Sequence, residues 1–569
     1  MLIRTSPTRR RVFASAAATS AVLAIAAAVV GLTAARPAHP GLLDRMRFYP
    51  GNLVVSRSVY DNRAANVSIG EALPPGCAAT AVGCSSPDAA TNDGTYPFVF
   101  NNAGVDGSFG IASRLYLDQL TPFGWRIGTL ELPKSRRPGA DPDGGQLVTS
   151  FSSKSEGALN LSTSGRFLTL MGYDAAVNAV DISNSNTPGA VDPTNPVGAN
   201  AYRAAAVVDA EGNVDLVRTN AYSGNNGRAA VLDDADHRDV IYTAGNAGNG
   251  SNPQPTGVVL GAGAQIFPWL RSPERVQTPG APTPTASFSV TLLGDKADKI
   301  GKDDNFRGLR LYNHVLYMTK GSGSNGVNTV YFVDPTGSAC PDGVGLPAAG
   351  AALPGALGYN PATLASDGLP SNMCILKGFN TALAKKTTNA FPFGIWFANP
   401  TTLYVADEGD GFNGDNTLYG HAAAQTQAGL QKWVFSGGQW NLAYVLQQGL
   451  DLGIPYNVAG YPTGDNSGIG GTGLPWAPAT DGLRNLTGRV NPDGTVTLWA
   501  ITSTVSGSGD QGADPNRLVV INDPLAATTP VANERFYTLE TAGFAEVLRG
   551  VSLTPGTGAS DHDHNGDRH

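Results

Sequence analysis

Apolar and polar positions alternate along most of the chain in short runs, which are separated by turns rich in Gly, Asn, Asp and Pro. Alternation with a period of two predicts β-strands with one buried face, and these turn residues suit tight hairpins. The same hairpin pattern begins at five places: Gly157, Gly227, Phe306, Phe393 and Leu483. Further strand-like runs follow each hairpin. The pattern therefore predicts repeated antiparallel units of four strands.

A sixth copy of the hairpin is divided between the two ends of the chain. Its first strand is LRGVSLTP, from Leu548, and its second is GNLVVSRS, from Gly51. A β-propeller closes its ring by completing one blade from both chain ends. The sequence thus predicts an all-β, six-bladed β-propeller closed by pairing of its N- and C-terminal strands. A seven-bladed propeller, with an extra blade within residues 335–389, and a pair of β-sandwiches are the alternatives.

Six long insertions are predicted to project from one face of this propeller, which we call the top face, whereas two others, 268–286 and 335–371, are predicted on the opposite face. The six follow the second strand of a unit or connect two units, namely 59–111, 174–201, 407–428, 504–515, 133–155 and 448–481. Binding residues often lie on loops that a rigid scaffold displays. We therefore expect function on the top face.

One position recurs where the inner strand of each unit begins. It is occupied by Arg228, Arg307, Arg484 and Arg549, and by Glu156 and Phe393 in the other two units. On a ring these residues converge at the mouth of the central channel. Because guanidinium groups bind carboxylate, phosphate and sulfate with two parallel hydrogen bonds, the four arginines and Glu156 are candidate ligand-binding residues. A structural role, bridging neighbouring units, is the alternative.

An acidic loop follows the second strand of the fifth unit. Asp407, Glu408, Asp410 and Asp415 lie among glycines and asparagines, and such oxygen ligands suit calcium, although their spacing differs from an EF-hand. A solvated acidic loop is the alternative. His421 lies in the same loop and is the histidine considered for acid–base chemistry. Trp476 and Tyr461, in another top loop, are predicted to pack on the scaffold rather than stack on a sugar.

The N-terminus predicts export. Arginines precede an uncharged run over residues 12–35, and Thr8 to Phe13 resembles a twin-arginine signal, with a Sec-type signal as the alternative. Residues 1–40 are thus a signal peptide or an uncleaved membrane anchor, residues 41–556 the propeller, and residues 557–569 a charged tail. The protein is expected to be secreted, or anchored to the cell envelope, and monomeric.

Cysteine and charge content agree with this location. In an oxidising compartment the four cysteines are expected to form two local disulfides, Cys77–Cys84 and Cys340–Cys374. The net charge of −8 and the pI of about 5.4 argue against a nucleic-acid partner, whose binding calls for clustered Lys and Arg. A membrane contact is expected only through an uncleaved N-terminal segment, and the expected partner is a small anionic molecule or a saccharide.

Several segments carry a family resemblance, among them SEGALNLSTSGRFLTLMGYDAA, LYVADEGDG, GLQKWVFSGGQWNLAY and LRGVSLTP. They resemble a family of secreted, mostly bacterial β-propeller-like proteins of uncharacterised function. The resemblance implies the fold and export and transfers no catalytic residue.

Three functional hypotheses follow. The first is a binding protein that captures an anionic or carbohydrate ligand at the top face. The second is an extracellular metal-dependent hydrolase or lyase that uses the acidic loop around Asp407. The third is a structural or adhesive protein of the cell surface.

Overall fold

The structure is a computed structural model. It describes residues 46–71, 73, 89–104, 109–132, 146–189, 201–235, 238–246, 264–269, 274–275, 286–287, 289–290, 305–322, 326–336, 338–348, 372–384 and 389–557. The predicted disulfide Cys77–Cys84, the predicted signal segment 1–40 and nearly all of the predicted tail lie outside these residues. In the described part of the chain, no helix has both the length and the apolar character needed to cross a bilayer.

Strands dominate the regular structure. The first fourteen are β1 (Leu53–Val59), β2 (Ala112–Leu120), β3 (Arg126–Glu131), β4 (Gln146–Ser150), β5 (Asn160–Leu161), β6 (Leu168–Ala175), β7 (Tyr202–Val208), β8 (Val214–Thr219), β9 (Gly227–Asp233), β10 (Val240–Gly245), β11 (Ala264–Pro268), β12 (Glu274–Arg275), β13 (Ala286–Ser287) and β14 (Ser289–Val290). The others are β15 (Leu309–Tyr312), β16 (Val315–Lys320), β17 (Thr329–Asp334), β18 (Val344–Gly345), β19 (Asn372–Leu376), β20 (Pro392–Asn399), β21 (Thr402–Asp407), β22 (Gly429–Ser436), β23 (Gln439–Leu446), β24 (Ala479–Val490), β25 (Thr495–Val505), β26 (Arg517–Pro524), β27 (Tyr537–Thr541) and β28 (Glu546–Leu553). The α-helix α1 (Leu418–Ala424) and three short 3-10 helices, Ala64–Asn66, Phe98–Gly104 and Ile182–Asn184, lie in loops.

The strands form a propeller-like, all-β arrangement. Among the described residues, four blade-like sheets are separate, with the strand orders β13-β11-β10-β9, β14-β19-β17-β16-β15 with β18 beside β19, β20-β21-β22-β23 and β24-β25-β26-β27. The remaining ten strands share one sheet in the order β12-β8-β7-β6-β4-β2-β1-β28, with β3 beside β2 and β5 beside β6. Most neighbours are consecutive antiparallel strands, as the hairpin pattern predicts.

The number of separate blades differs from the six that the sequence predicts. Strands expected in two separate blades share the ten-stranded sheet, because β4 pairs antiparallel with both β2 and β6. Ala112 lies opposite Ser150 at one end of β4, and Gln146 lies opposite Ala175 at the other. The sequence analysis assigned β4 to a loop, since a five-residue segment with one apolar pair carries little strand signal.

The first and last strands of the chain pair as predicted. β1 and β28 are antiparallel, with Leu53 opposite Leu553 and Val55 opposite Val551. In addition, β28, β5, β9, β15, β20 and β24 contact one another in that order, and β24 contacts β28. We call these six the inner strands.

Apolar side chains fill the spaces between successive sheets. Val55 and Val551 pack with Trp499 and Ile501, which joins the terminal strands to the β24–β27 sheet. A larger cluster joins the sheets of β9, β15 and β20. It contains the disulfide Cys340–Cys374, which confirms that predicted pairing. The core is therefore distributed around the molecule, and the inner strand ends remain available to polar side chains.

The hairpin between β22 and β23 shows how local sequence sets the register. Its two-residue turn is Gly437-Gly438, and both residues have positive φ, 61° and 77°. A two-residue turn of this type matches the right-handed twist of the flanking strands, and glycine adopts it without steric cost. The turn places Ser436 opposite Gln439 and aligns the two strands.

Candidate functional site

A polar cavity of about 420 Å³ lies where several top-face loops meet. Its lining comes from the segments between β4 and β5, between β6 and β7, and between β8 and β9. The loops that follow β10, β21 and β25 complete it, together with Arg228 at the start of β9 and Arg307, two residues before β15. All of these loops lie at the strand ends that the sequence assigned to the top face. The cavity therefore lies on the predicted face.

The lining is made almost entirely of hydrogen-bonding side chains. Three are cations, Lys154, Arg228 and Arg307, and one is a carboxylate, Asp510. The others, apart from two glycines, are Ser150, Ser152, Ser153, Ser155, Ser183, Asn184, Asn225, Asn226, Asn246, Asn413 and Gln511. Hydroxyl and amide groups both donate and accept hydrogen bonds. We call this the basic cavity, because its lining carries more positive than negative charge.

The four predicted arginines do converge. Arg307 lies within electrostatic range of both Arg228 and Arg484, and Arg484 within range of Arg549. All four are buried, but only Arg228 and Arg307 line the basic cavity. Arg549 donates instead to backbone carbonyls of the cavity loops. A position that looks equivalent in every repeat therefore has different contacts from one unit to the next.

Arg228 and Arg307 are buried without full compensation. Burial lowers the pKa of Arg228 well below its ordinary value and also lowers the pKa of Arg307. A neighbouring arginine lowers each pKa further, and the carboxylate of Glu408 offsets part of the effect for both. Within the described residues, the Nε atom of neither arginine has a hydrogen-bond partner. Buried cations of this kind are costly unless a counter-charge is near. The cavity is therefore suited to an anion.

Lys154 completes the cationic lining, and the sequence analysis missed it. Its Nζ lies 3.7 Å from Oε1 of Glu408, and burial lowers its pKa. Lys154 lies in the predicted top loop 133–155 but occupies no repeated position, so no sequence pattern marks it. Lys154 lines the cavity because the segment between β4 and β5 folds against Glu408, a contact that the sequence does not reveal.

Glu408 acts as a counter-charge to the cations. Its Oε2 lies 3.2 Å from Nε of Arg484. Burial acts to raise the pKa of Glu408, but Lys154 and the nearby arginines outweigh this effect and the pKa lies below its usual value. Glu408 was predicted as a metal ligand; the structure places it among cations.

Glu156 is held by hydrogen bonds on both carboxylate oxygens and does not line the basic cavity. Its Oε1 accepts from the hydroxyl of Tyr173 at 2.5 Å and from Nδ2 of Asn226 at 2.6 Å. Its Oε2 accepts from the hydroxyl of Thr149 at 2.5 Å and from the N–H of Ser150 at 2.9 Å. These contacts fix loops of the cavity wall, so Glu156 orients the lining, and its binding of a ligand stays a prediction.

The other predicted metal ligands are separated and already accept hydrogen bonds. The carboxylate oxygens of Asp407 accept hydrogen bonds from the backbone N–H groups of Phe391 and Gly409. Asp410 accepts from the N–H of Phe412 in its own loop, and Asp415 accepts from the N–H of Thr417, just before α1. In the described part of the chain, one group of three potential ligand atoms lies within 4.8 Å, that of Asp334, Cys340 and Cys374. Its cysteines form the disulfide. Calcium binding by the acidic loop stays a prediction.

The remaining candidates lie away from the basic cavity. His421 is in α1, and its ring stacks on Phe412 with centroids 3.8 Å apart. Trp476 and Tyr461 are buried in an aromatic cluster that also contains Tyr96, which confirms packing as their role. None of these side chains contributes to the cavity lining.

Buried carboxyl groups near this face predict an unusual pH dependence of stability. Burial raises the pKa of Asp407 and Asp481 to about 7 and that of Asp514 to about 6, from an ordinary value of 3.8. These groups bind protons more tightly in the folded protein, so their contribution to stability is full below pH 3.8 and is lost as the pH rises through the folded pKa. We expect the free energy of unfolding to rise as the pH falls from 8 to 5, by about 1.4 kcal/mol per pKa unit at each site.

Urea denaturation at pH 8, 6.5 and 5 measures this dependence. Asp514→Asn is the informative variant, because it keeps the oxygen that accepts from Tyr461 and Ser506 while removing the titration. Its stability is expected to change less between pH 8 and 5 than that of the wild type. A wild-type stability that is flat or falls on acidification in this range contradicts the prediction.

Comparisons with known proteins give a fold-level likeness only. No protein-family model matches the chain, and neither does any curated protein. Among solved structures, similarity was found to a polysaccharide lyase of family PL25, an ulvan lyase, at 12% identity and a TM-score of 0.28, covering 77% of this chain and 91% of the lyase. Similarity was also found to the Pyrococcus horikoshii acylaminoacyl peptidase, at 9% identity and a TM-score of 0.25 over 77% of this chain. A third similar structure is that of Drosophila semaphorin 1a, extracellular domains 1–2, at 11% identity and a TM-score of 0.27 over 74% of this chain.

The match spans 48% of the peptidase and 84% of the semaphorin chain. At these TM-scores, none of the three carries an argument about activity or ligand. The functional argument therefore rests on the residues of the basic cavity.

Proposed function

We propose that this protein is an exported, closed six-bladed β-propeller that captures a small acidic saccharide in the basic cavity. The ten-stranded sheet supplies two of the blades, joined by β4, and the cyclic contacts of the inner strands support closure. The disulfide Cys340–Cys374 supports export, because disulfides persist in oxidising compartments.

One observation carries the proposal: two buried arginines, Arg228 and Arg307, line a polar cavity with their Nε donors unpaired. A carboxylate, sulfate or phosphate group in the cavity accepts hydrogen bonds from the guanidinium groups that line it and supplies the negative charge that their burial makes favourable. Lys154 adds a third cation on the same wall. The ligand therefore carries at least one anionic group.

The rest of the lining favours a saccharide over a bare inorganic anion. Serine hydroxyls and asparagine amides surround the cations, and the cavity of about 420 Å³ exceeds what a single small ion fills. Ring hydroxyls of a sugar acid donate and accept hydrogen bonds, as these side chains do. A uronate or a sulfated sugar satisfies both parts of the lining.

Isothermal titration calorimetry with D-glucuronate, D-galacturonate and D-glucose 6-sulfate tests this function. We expect binding that weakens as the salt concentration rises. The double variant Arg228→Met/Arg307→Met removes two charge-assisted hydrogen bonds, each contributing about 1.5 kcal/mol or more, so affinity is expected to fall at least about 100-fold.

The matched control is Arg47→Met/Arg63→Met, which removes the same charge from exposed positions. It is expected to bind like the wild type, and thermal melting of both double variants shows that they are folded. If none of the three compounds binds, or if the cavity double variant binds as tightly as the control, the proposed function is wrong.

A further inference from the structure

A second cavity, of about 270 Å³, lies between the β15–β19 and β20–β23 sheets. Its walls come from the start of β17, the segment after β19, the start of β20, the end of β21 and the start of β22. Among the residues that the structure describes, it shares no lining residue with the basic cavity. Asp407 faces this second cavity, whereas its neighbour Glu408 pairs with the cations of the first.

The polar part of the lining consists mainly of amides. They are contributed by Asn328, Asn380, Asn389, Gln427 and Gln431. No cation is among the described residues of the lining, so this cavity, unlike the basic one, offers nothing that selects an anion. Amides donate and accept at once, which matches the hydroxyl groups of a neutral ligand.

The apolar part of the lining is an aromatic pair with a fixed orientation. Trp433 stacks on Phe379 with ring centroids 4.0 Å apart and an angle of 23° between the planes. The indole N–H of Trp433 donates to Oε1 of Gln431 at 3.0 Å, and Nε2 of Gln431 donates to Asp407 at 3.2 Å. Because its partners hold the ring in place, little conformational entropy is lost when a ligand contacts it.

A buried hydroxyl in the lining lacks a partner. Thr329 is 1% exposed, and its Oγ1 makes no hydrogen bond within the described residues. The neighbouring Asn328 is held by Lys320 and Asn380. A buried hydroxyl without a partner is unfavourable, and a ligand hydroxyl that reaches it supplies the missing hydrogen bond.

We propose that the cavity lined by Trp433, Phe379 and five amides binds one neutral pyranose ring. A pyranose has an apolar face of C–H groups, which contacts an aromatic ring, and a rim of hydroxyls, which pairs with amides and with Thr329. The site is separate from the acidic-saccharide site and does not depend on it.

Saturation-transfer difference NMR tests this site with methyl glycosides of glucose, galactose, mannose, xylose, rhamnose and N-acetylglucosamine. At about 0.3 kcal/mol per non-hydrogen atom, one sugar ring is expected to bind with a Kd on the order of 1 mM. At least one of the six glycosides is expected to show saturation of its ring C–H protons. Trp433→Leu is expected to weaken that binding about tenfold or more.

Trp125→Leu is the matched control, because Trp125 is 77% exposed and lies outside the cavity. Gln427→Ala removes an amide from the half-buried rim and is expected to weaken binding without affecting the melting temperature, which keeps the test valid if Trp433→Leu does not fold. The variant Arg228→Met/Arg307→Met is expected to bind the glycoside normally, which separates this site from the basic cavity. If no glycoside in the panel gives a signal at 10-fold the expected Kd, or if both Trp433→Leu and Gln427→Ala bind like the control, the inference is wrong.

Discussion

Replacing Lys432 with methionine is expected to lower the free energy of unfolding by about 3–5 kcal/mol. Lys432, on β22, and Asp523, on β26, are both completely buried, and their Nζ and Oδ2 atoms lie 2.7 Å apart. Nζ also donates to the carbonyl of Pro524 at 2.7 Å and to the hydroxyl of Tyr444 at 3.0 Å. The methionine leaves the carboxylate of Asp523 buried without its counter-charge. Urea denaturation followed by tryptophan fluorescence measures the loss.

The large effect comes from leaving one charge unpaired, and a double variant isolates this cause. In Lys432→Met/Asp523→Leu both charges are removed, so we expect part of the stability to return, because a buried ion pair replaced by apolar groups is often close to neutral. Lys377→Met is the control, since Lys377 is exposed. A loss below about 1 kcal/mol for Lys432→Met shows that the pair does not hold the β20–β23 and β24–β27 sheets together.

Arg549→Met is expected to destabilise the fold by a similar amount, about 3–5 kcal/mol. The guanidinium of Arg549 donates to the backbone carbonyls of Phe151, Ser153 and Gly512, and its Nε donates to the hydroxyl of Ser58 at 2.8 Å. Each buried carbonyl left unsatisfied costs about 1–3 kcal/mol. Thermal and urea unfolding of the purified variant measure the change.

Arg307→Met is the matched control for this prediction. Arg307 lies two residues before β15 and Arg549 lies within β28, at positions that the repeat pattern aligns, and both are buried. Within the described residues, however, the guanidinium of Arg307 donates to the hydroxyl of Ser322, and its Nε has no hydrogen-bond partner. We expect Arg307→Met to change the free energy of unfolding by less than about 1 kcal/mol. Equal losses for the two variants contradict the division of the arginines into a structural and a cavity-lining group.

The division of the arginines into a structural and a cavity-lining group shows why a repeated sequence position does not by itself identify binding residues. The recurrence of arginine at inner strand openings predicts convergence, and the four side chains do converge. A repeated position does not predict which guanidinium group donates to backbone carbonyls and which lines a cavity, because those contacts depend on loops from other units. For the same reason Lys154, the amides around Trp433 and the helix α1 have no signature in the sequence.

Features that depend on neighbouring residues and on burial of one strand face could be read from the sequence. Alternation and turn chemistry predicted the hairpins, the split sixth copy predicted that the terminal strands β28 and β1 pair, and the positions of the cysteines predicted Cys340–Cys374. Three features became visible only once the sheets were packed together: β4 joins two of the predicted blades, Glu408 pairs with cations, and Asp407 and Glu408 belong to two cavities of different chemistry. The reason is physical: strand pattern is a property of a few adjacent residues, whereas a cavity is formed by loops from distant parts of the chain, whose side chains meet only after the sheets have packed.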